Sequence, residues 1–226
     1  MKYPIYEHFY AFQGEGIYMG SAAYFIRFYG CPLKCSWCDS AGTWHKDWVP
    51  SIIDRLEPQE ILELIEKNNK NGFIVLTGGE PSIFDLDPLI DCLKSKLNIK
   101  IHIETSGAFP ISNNIDWITL SPKWSKLPLQ ENLKKANEIK IIVEDRDSIQ
   151  KWMEVIGKNM GIPVWLHPEW SQRNNIEVLN SISEYIKENG NNFRAGYQLH
   201  KLYKVDSLDI NSKPLVPIGG NKNNEY

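Results

Sequence analysis

The stretch Tyr24-Phe25-Ile26-Arg27-Phe28-Tyr29, followed by Gly30-Cys31-Pro32-Leu33-Lys34-Cys35-Ser36-Trp37-Cys38-Asp39-Ser40, decides how the rest of the chain is read. Its first part is a short apolar and aromatic run ending at a glycine, which reads as a buried strand. Its second part places Cys31, Cys35 and Cys38 in a C-x3-C-x2-C pattern, so one short loop at a strand end presents three thiolates. Thiolates are soft ligands and suit iron–sulfur clusters, zinc or copper(I). No fourth cysteine stands nearby; Cys92 falls inside a predicted helix and is expected to be a small buried apolar residue. Three protein ligands on a four-iron cube leave one iron open to a small molecule. The competing reading of the same loop is a zinc site completed by His45.

Outward from this loop the chain alternates short apolar runs with amphipathic stretches, the pattern of β/α units around a parallel sheet. Strands are predicted at Tyr24 to Tyr29, Phe73 to Leu76, Lys100 to Glu104, Trp117 to Leu120, Ile139 to Val143, Val164 to Leu166 and Phe193 to Leu199. Ile61, Leu62, Leu64 and Ile65 recur at helical spacing between Pro58 and about Lys70. A second helix is predicted up to about Leu97, with Asp87 as its N-cap, and Asp147 and Ser171 are candidate caps for two later helices. About seven strands with helical crossovers, in a chain shorter than the ~250 residues of a full barrel, point to an α/β fold with a mostly parallel sheet. The expectation is a partial, open β/α barrel in a single domain over 1–226, with a core to about 205 and a C-terminal extension over 206–226.

Chemistry in such folds sits at the C-terminal ends of the strands, and the polar motifs fall there. After the cysteine loop come Thr77-Gly78-Gly79-Glu80-Pro81, Thr105-Ser106-Gly107, Ser121-Pro122-Lys123 and His200-Lys201, each behind a predicted strand. In Thr77–Pro81 the glycines let backbone approach a ligand, and the carbonyls and Glu80 can accept from an ammonium group. Lys123 is a suitable point charge for a carboxylate, and Glu104 at a strand end can take hydroxyls. Arg27 lies within a predicted strand, where an unpaired charge is costly. It calls for an anion, either a ligand carboxylate held by its fork or a protein carboxylate.

Length, charge and composition narrow the classes. At 226 residues there is room for one sizeable core, and a net charge of −3 announces neither a nucleic-acid surface nor a polybasic membrane stretch. No apolar run approaches the ~20 residues of a membrane helix, and no export signal is apparent, so a cytoplasmic, reducing setting is expected. There, four cysteines are ligands or core residues rather than disulfides.

The C-x3-C-x2-C spacing, with Trp37 before the last cysteine, resembles the radical S-adenosylmethionine (SAM) superfamily. Thr77-Gly78-Gly79-Glu80-Pro81 is similar to its Gly-Gly-Glu-Pro loop. The resemblance implies a [4Fe–4S] cluster on Cys31, Cys35 and Cys38, with SAM chelated to the open iron. It places Trp37, Cys38, Asp39, Gly78, Gly79, Glu80, Glu104, Ser121, Pro122, Lys123 and His167 around SAM. Phe12-Gln13-Gly14-Glu15-Gly16, Arg27, Asp39-Ser40 and Gln198 with His200-Lys201 together look like the 7-carboxy-7-deazaguanine synthases of queuosine and 7-deazapurine biosynthesis. This narrower resemblance spans roughly residues 5 to 205.

It implies a lyase acting on 6-carboxy-5,6,7,8-tetrahydropterin, with Phe12, Gln13, Gly14, Glu15, Arg27, Thr77 and His200 as substrate contacts and Mg²⁺ on Ser40, a position that is often threonine in relatives. The implied reaction abstracts a hydrogen atom from the pterin, contracts its ring, returns the hydrogen and eliminates ammonia. A flavodoxin or ferredoxin as electron donor and a homodimer are implied with it. The segment Leu166-His167-Pro168-Glu169 has His where many relatives have Gln, and the chain continues beyond the point where many relatives end in a carboxylate near the substrate. Two rivals remain: a radical SAM activase acting on a partner protein's loop, and a non-catalytic zinc module.

Overall fold

A computed structural model describes residues 1–157, 161–190 and 192–203 of the chain. Its backbone alternation explains its shape. In β2 (Ala22–Phe28), Tyr24, Ile26 and Phe28 join the large core, while Ala23 and Phe25 join a separate small cluster and Arg27 lines a cavity. In β4 (Phe73–Gly78), Ile74 and Leu76 face the large core, and Val75 and Thr77 face the other way. In β7 (Glu138–Val143), Ile139, Ile141 and Val143 are core, and Lys140 and Ile142 line the cavity. Period-2 alternation thus gives one sheet two faces of different chemistry. The outer face packs on helices, and the inner face is a mixture of small, aromatic and charged side chains around a hollow.

The strands form one nine-stranded sheet in the order β3-β1-β2-β4-β5-β6-β7-β8-β9. From β2 to β9 every neighbouring pair is parallel: β5 is Ile101–Thr105, β6 Trp117–Leu120, β8 Val164–Pro168 and β9 Phe193–Ala195. These seven strands coincide with the seven expected. The sheet does not close on itself, so the open β/α barrel is the fold observed. Parallel neighbours require crossovers, and helices provide most of them. These are α1 (Pro58–Asn68), α2 (Asp87–Lys96), α3 (Gln130–Lys135), α4 (Ser148–Ile156) and α5 (Ile176–Asn189). Each long helix buries one stripe, such as Ile61, Leu62 and Ile65 of α1 or Leu89, Ile90 and Leu93 of α2. A fully buried aliphatic side chain contributes about 1.5–3 kcal/mol, so these stripes hold the crossovers on the sheet.

Two antiparallel strands were not expected. β1 (Tyr3–Phe12) pairs with β2, and β3 (Asp54–Leu56) pairs with β1. β1 reads Tyr-Pro-Ile-Tyr-Glu-His-Phe-Tyr-Ala-Phe, and its proline and mixed polarity hide its strand character. Of three cap assignments, two are corrected and Asp147 holds in position. Leu86 occupies the N-cap position of α2, and Asp87 is the first helical residue, its N–H donating to Asp85 Oδ1 at 3.1 Å. Asp147 stands at the N-cap of α4 without capping it through its side chain. Ser171 lies in a short 3-10 turn, and α5 is capped by Asn175, whose Oδ1 accepts from Glu177 N at 3.0 Å. The last predicted strand stops at Ala195, and Leu199 opens a short helix, α6 (Leu199–Tyr203). Cys92 is half-buried against the core rather than fully inside it. The C-terminal extension over 206–226 lies outside the described residues.

Candidate active site

The loops at the C-terminal ends of β2, β4, β5, β6 and β8 surround a cavity of about 210 Å³. All the sequence-predicted site residues line it except Pro122 and His167. Both of those are buried behind its wall; at β8 the cavity is lined by Pro168 and Glu169 instead. The ring of His167 fills the space beside Gly196, where a Cβ would stand 2.2 Å from Nε2. Among the described residues neither of its ring nitrogens has a hydrogen-bond partner, and burial pushes its pKa down to about 4.

The cysteine loop leaves β2 at Gly30 and bends through Lys34, whose φ of 52° is in the left-handed region. Cys31, Cys35 and Cys38 all line the cavity, and Trp44 Nε1 donates to Cys38 Sγ at 3.4 Å. Burial pushes all three thiols up, Cys38 to about 12, with the neighbouring Asp39 adding to that shift. Gly79 lies directly against this loop: a Cβ there would be 2.2 Å from Gly30 O and 3.0 Å from Cys31 Cβ. The glycine pair and the cysteines therefore share one wall, as a cluster and a chelated amino acid require. Among the described residues no three His, Cys, Asp or Glu side chains converge on a single-ion site. His45 is engaged with Trp44 and Asp47 instead, its Nδ1 3.8 Å from Asp47 Oδ2. Three thiols on one bare rim, with adjacent backbone acceptors, fit a multi-iron cluster better than a closed zinc site.

Glu80 is buried and largely committed to the loops around it. Its Oε1 accepts from Ser82 N at 3.1 Å, Ser82 Oγ at 2.6 Å and Thr105 Oγ1 at 2.6 Å, and its Oε2 accepts from Ser106 N at 2.8 Å. Oε2 retains one acceptor site. Lys123 donates to Ser121 O at 2.6 Å and Ser121 Oγ at 2.8 Å, and its Nζ lies 5.4 Å from the centre of the Trp37 ring. Burial pushes the Lys123 pKa down.

The opposite wall comes from the β1–β2 loop. Gln13 Nε2 donates to Glu104 Oε1 and Thr77 Oγ1 donates to Glu104 Oε2, both at 2.8 Å, so Glu104 joins residues from three elements. Arg27 Nε donates to the buried Glu7 at 2.6 Å, which realises the protein-carboxylate reading. Its Nη1 faces Ser40 Oγ at 3.3 Å, and Ser40 Oγ donates to Asp39 Oδ1 at 3.3 Å. A basic fork, a hydroxyl and a carboxylate thus meet at one corner of the cavity. Gly14 lies under His200, and Leu199 N donates to Gly14 O at 3.0 Å. Lys201, itself buried, pairs with Asp39 at 3.2 Å.

Sequence reasoning passed over several of these groups. Lys140 is a lysine at an inward position of the otherwise apolar run Ile139-Lys140-Ile141-Ile142-Val143, and that pattern is its signal. Gln198 and Lys201 stand in the motif around His200, but no role was assigned to them there, because their contacts with Glu15 and Asp39 are tertiary. Glu7 lies in a strand that was not anticipated.

The radical SAM superfamily model matches residues 25–166. A 7-carboxy-7-deazaguanine synthase of Synechocystis sp. is 40% identical over 209 residues, covering 91% of this chain and 94% of that protein. The enzyme of the same name from Flavobacterium psychrophilum is 37% identical, covering 89% and 92%. The crystal structure of QueE from Escherichia coli superposes with a TM-score of 0.73 at 30% identity, covering 88% of this chain and 95% of that one. By match, identity and coverage alike, the chain belongs to the radical SAM superfamily and, within it, to the 7-carboxy-7-deazaguanine synthase family.

Proposed function

We propose that the protein converts 6-carboxy-5,6,7,8-tetrahydropterin to 7-carboxy-7-deazaguanine and ammonia, as the name of its relatives indicates for them. The observation that carries this reading is the convergence of Gln13, Glu15, Arg27 and Ser40 on the same cavity as the three cysteines. A flat heterocycle with one carboxylate needs an anion-binding corner at one end and an array of donors and acceptors at the other. Arg27 with Ser40 supplies the first. Gln13, Glu15 and the Gly14 backbone supply the second.

Cys31, Cys35 and Cys38 would hold the [4Fe–4S] cluster, with Gly78, Gly79, Glu80, Glu104, Ser121 and Lys123 around SAM and Ser40 toward Mg²⁺. Bound there, these groups supply one-electron cleavage of a sulfonium and a carbon radical that takes hydrogen from the substrate. The chain itself positions and shields. Phe9, Phe12, Phe25, Trp37, Trp44 and Trp170 wall the cavity with apolar surface that excludes water from a reactive radical. Glu104, fixed by Gln13 and Thr77, keeps the pterin wall and the nucleoside wall in register. The substrate differs from the product only by ammonia, so the conversion needs no net oxidant and the abstracted hydrogen is returned.

A flavodoxin or ferredoxin donor, a homodimer and a cytoplasmic setting belong to the same proposal. In its support, no helix among the described residues is long and apolar enough to cross a membrane. The test is anaerobic turnover of reconstituted protein with the carboxytetrahydropterin, following ammonia and net SAM. Stoichiometric ammonia with SAM preserved is expected. Consumption of SAM without ammonia, or a colourless protein that retains zinc after anaerobic reconstitution, would sink the reading.

A further inference from the structure

Within the pterin wall lies a largely buried ion pair. Lys140, on the inner face of β7, donates from Nζ to Glu15 Oε2, and Gln198 donates from Nε2 to Glu15 Oε1 at 2.9 Å. Glu15 is only 7% exposed, yet both it and Lys140 line the cavity. Each carboxylate oxygen is thus held by one donor from a different element, and each has room for a second. Two neighbouring acceptor sites on one carboxylate match two parallel N–H donors, the arrangement a ring amino group and the adjacent ring N–H present. A protonated carboxyl would lose that match, because one oxygen would then present a hydrogen to a hydrogen.

Resting on the carboxytetrahydropterin reading above, we propose that Lys140 is a positioning residue for substrate recognition: its ammonium keeps the buried Glu15 carboxylate ionised and aimed at the N–H edge of the heterocycle. Three titratable neighbours face Glu15: Lys140 from β7, His167 from β8 and His200 from α6. From its own loop, Gln13 Oε1 accepts from the Glu15 N–H at 3.1 Å. Lys140 lies in turn in the fields of Glu15, Glu104 and Asp39, which hold it protonated against the effect of burial. Burial, the largest single influence, pushes the Glu15 carboxyl up; the charge and hydrogen bond of Lys140, with the fields of His167 and His200, together outweigh it and hold the group below the usual carboxylate range, Lys140 contributing the most. Without that charge burial prevails. The free protein then binds a proton on Glu15 that substrate must displace, so affinity falls as pH falls.

The experiment measures the dissociation constant of 6-carboxytetrahydropterin by anaerobic calorimetry between about pH 6 and about pH 9, a window in which an ordinary carboxylate does not titrate. Wild type is compared with Lys140→Met, Lys140→Gln, Glu15→Gln and the Lys140→Met/Glu15→Gln double variant. Glu15→Gln, which retains His167 and His200, should weaken binding roughly tenfold with the pH profile of wild type. Both neutral Lys140 variants should lose roughly tenfold or more at the acid end and recover toward wild type at the alkaline end. The double variant should bind like Glu15→Gln alone. A pH-independent loss in the Lys140 variants, a double variant as weak as the product of the two single losses, or an unimpaired Glu15→Gln would overturn the proposal. If the Lys140 variants do not fold, Glu15→Gln decides: unchanged affinity refutes the role of the pair. Wild-type protein that fails to bind the pterin at all removes the functional reading itself, whereas normal wild-type binding with flat Lys140 variants removes only this inference.

Discussion

Arg27 shows how one half-buried side chain meets two demands. Its Nε is held by Glu7 while Nη1 faces the hydroxyl of Ser40, so the guanidinium is oriented from below and offers its other edge to the cavity. Arg27→Ala should therefore do two things. It should weaken equilibrium binding of the carboxytetrahydropterin by roughly tenfold or more, and it should lower the urea midpoint, because a buried carboxylate stripped of its cation costs about 3–5 kcal/mol. Affinity unchanged with stability lost would leave Arg27 as a structural partner of Glu7 only. Ser40→Ala touches the same corner without removing a charge. The expected result is a smaller Mg²⁺ stimulation of turnover at unchanged thermal stability; stimulation equal to wild type would place the ion elsewhere.

Among elements, the β1–β2 loop has the most work to do. It is tied to β5 through Gln13–Glu104 and to β7 through Glu15–Lys140, and both side chains line the cavity. Its anchor is Glu138, a buried carboxylate that accepts from Ile17 N at 2.9 Å, Trp165 Nε1 at 2.8 Å, Thr119 Oγ1 at 2.8 Å and Trp117 Nε1 at 3.2 Å. Tyr18 adds ring contacts with Phe73, His102 and Trp117. Gly16 lets the loop pass over the anchor: its φ is 70°, and a Cβ there would stand 2.4 Å from Glu138 Oε1. Gly16→Ala should cost about 1–3 kcal/mol in chemical denaturation and also raise the pterin dissociation constant by displacing Gln13 and Glu15. A stability loss with unaltered affinity would mean that the anchor and the substrate wall are mechanically independent.

For the whole molecule, the barrel interior stores a dependence on pH. His102, on the inner face of β5, stacks on Phe73 with ring centroids 4.0 Å apart, and burial pushes its pKa down to about 4; burial has the same effect on His167. Both folded values lie below the unfolded value of ~6.5. The unfolded chain therefore binds protons first as the solution is acidified. Stability is fully present above about pH 6.5 and drains away as pH falls toward about 4, by about 1–3 kcal/mol for each histidine. Urea unfolding of cluster-free wild type and His102→Phe near neutrality and near about pH 4.5 checks this. The phenylalanine variant keeps the stack and should lose less. An identical loss would assign the acid sensitivity to other groups, such as the depressed Glu15.

Much of this architecture was legible in advance, for a physical reason. Strand and helix signals are local, so the seven parallel strands were visible in the spacing of apolar residues, and α1, α2, α4 and α5 in apolar spacing or candidate caps, whereas the short α3 was not. The cysteine loop and the Gly78-Gly79 turn were equally visible, because ligand spacing and close backbone approach are properties of a few consecutive residues. Only the tertiary structure could decide what the charged interior does, since burial and pairing are set by residues far apart in the chain. It paired Arg27 with Glu7 and Lys140 with Glu15 across 125 positions, committed most of Glu80 to the loops, withdrew His167 behind the wall and brought Gln198 and Lys201 to the cysteine loop's own Asp39.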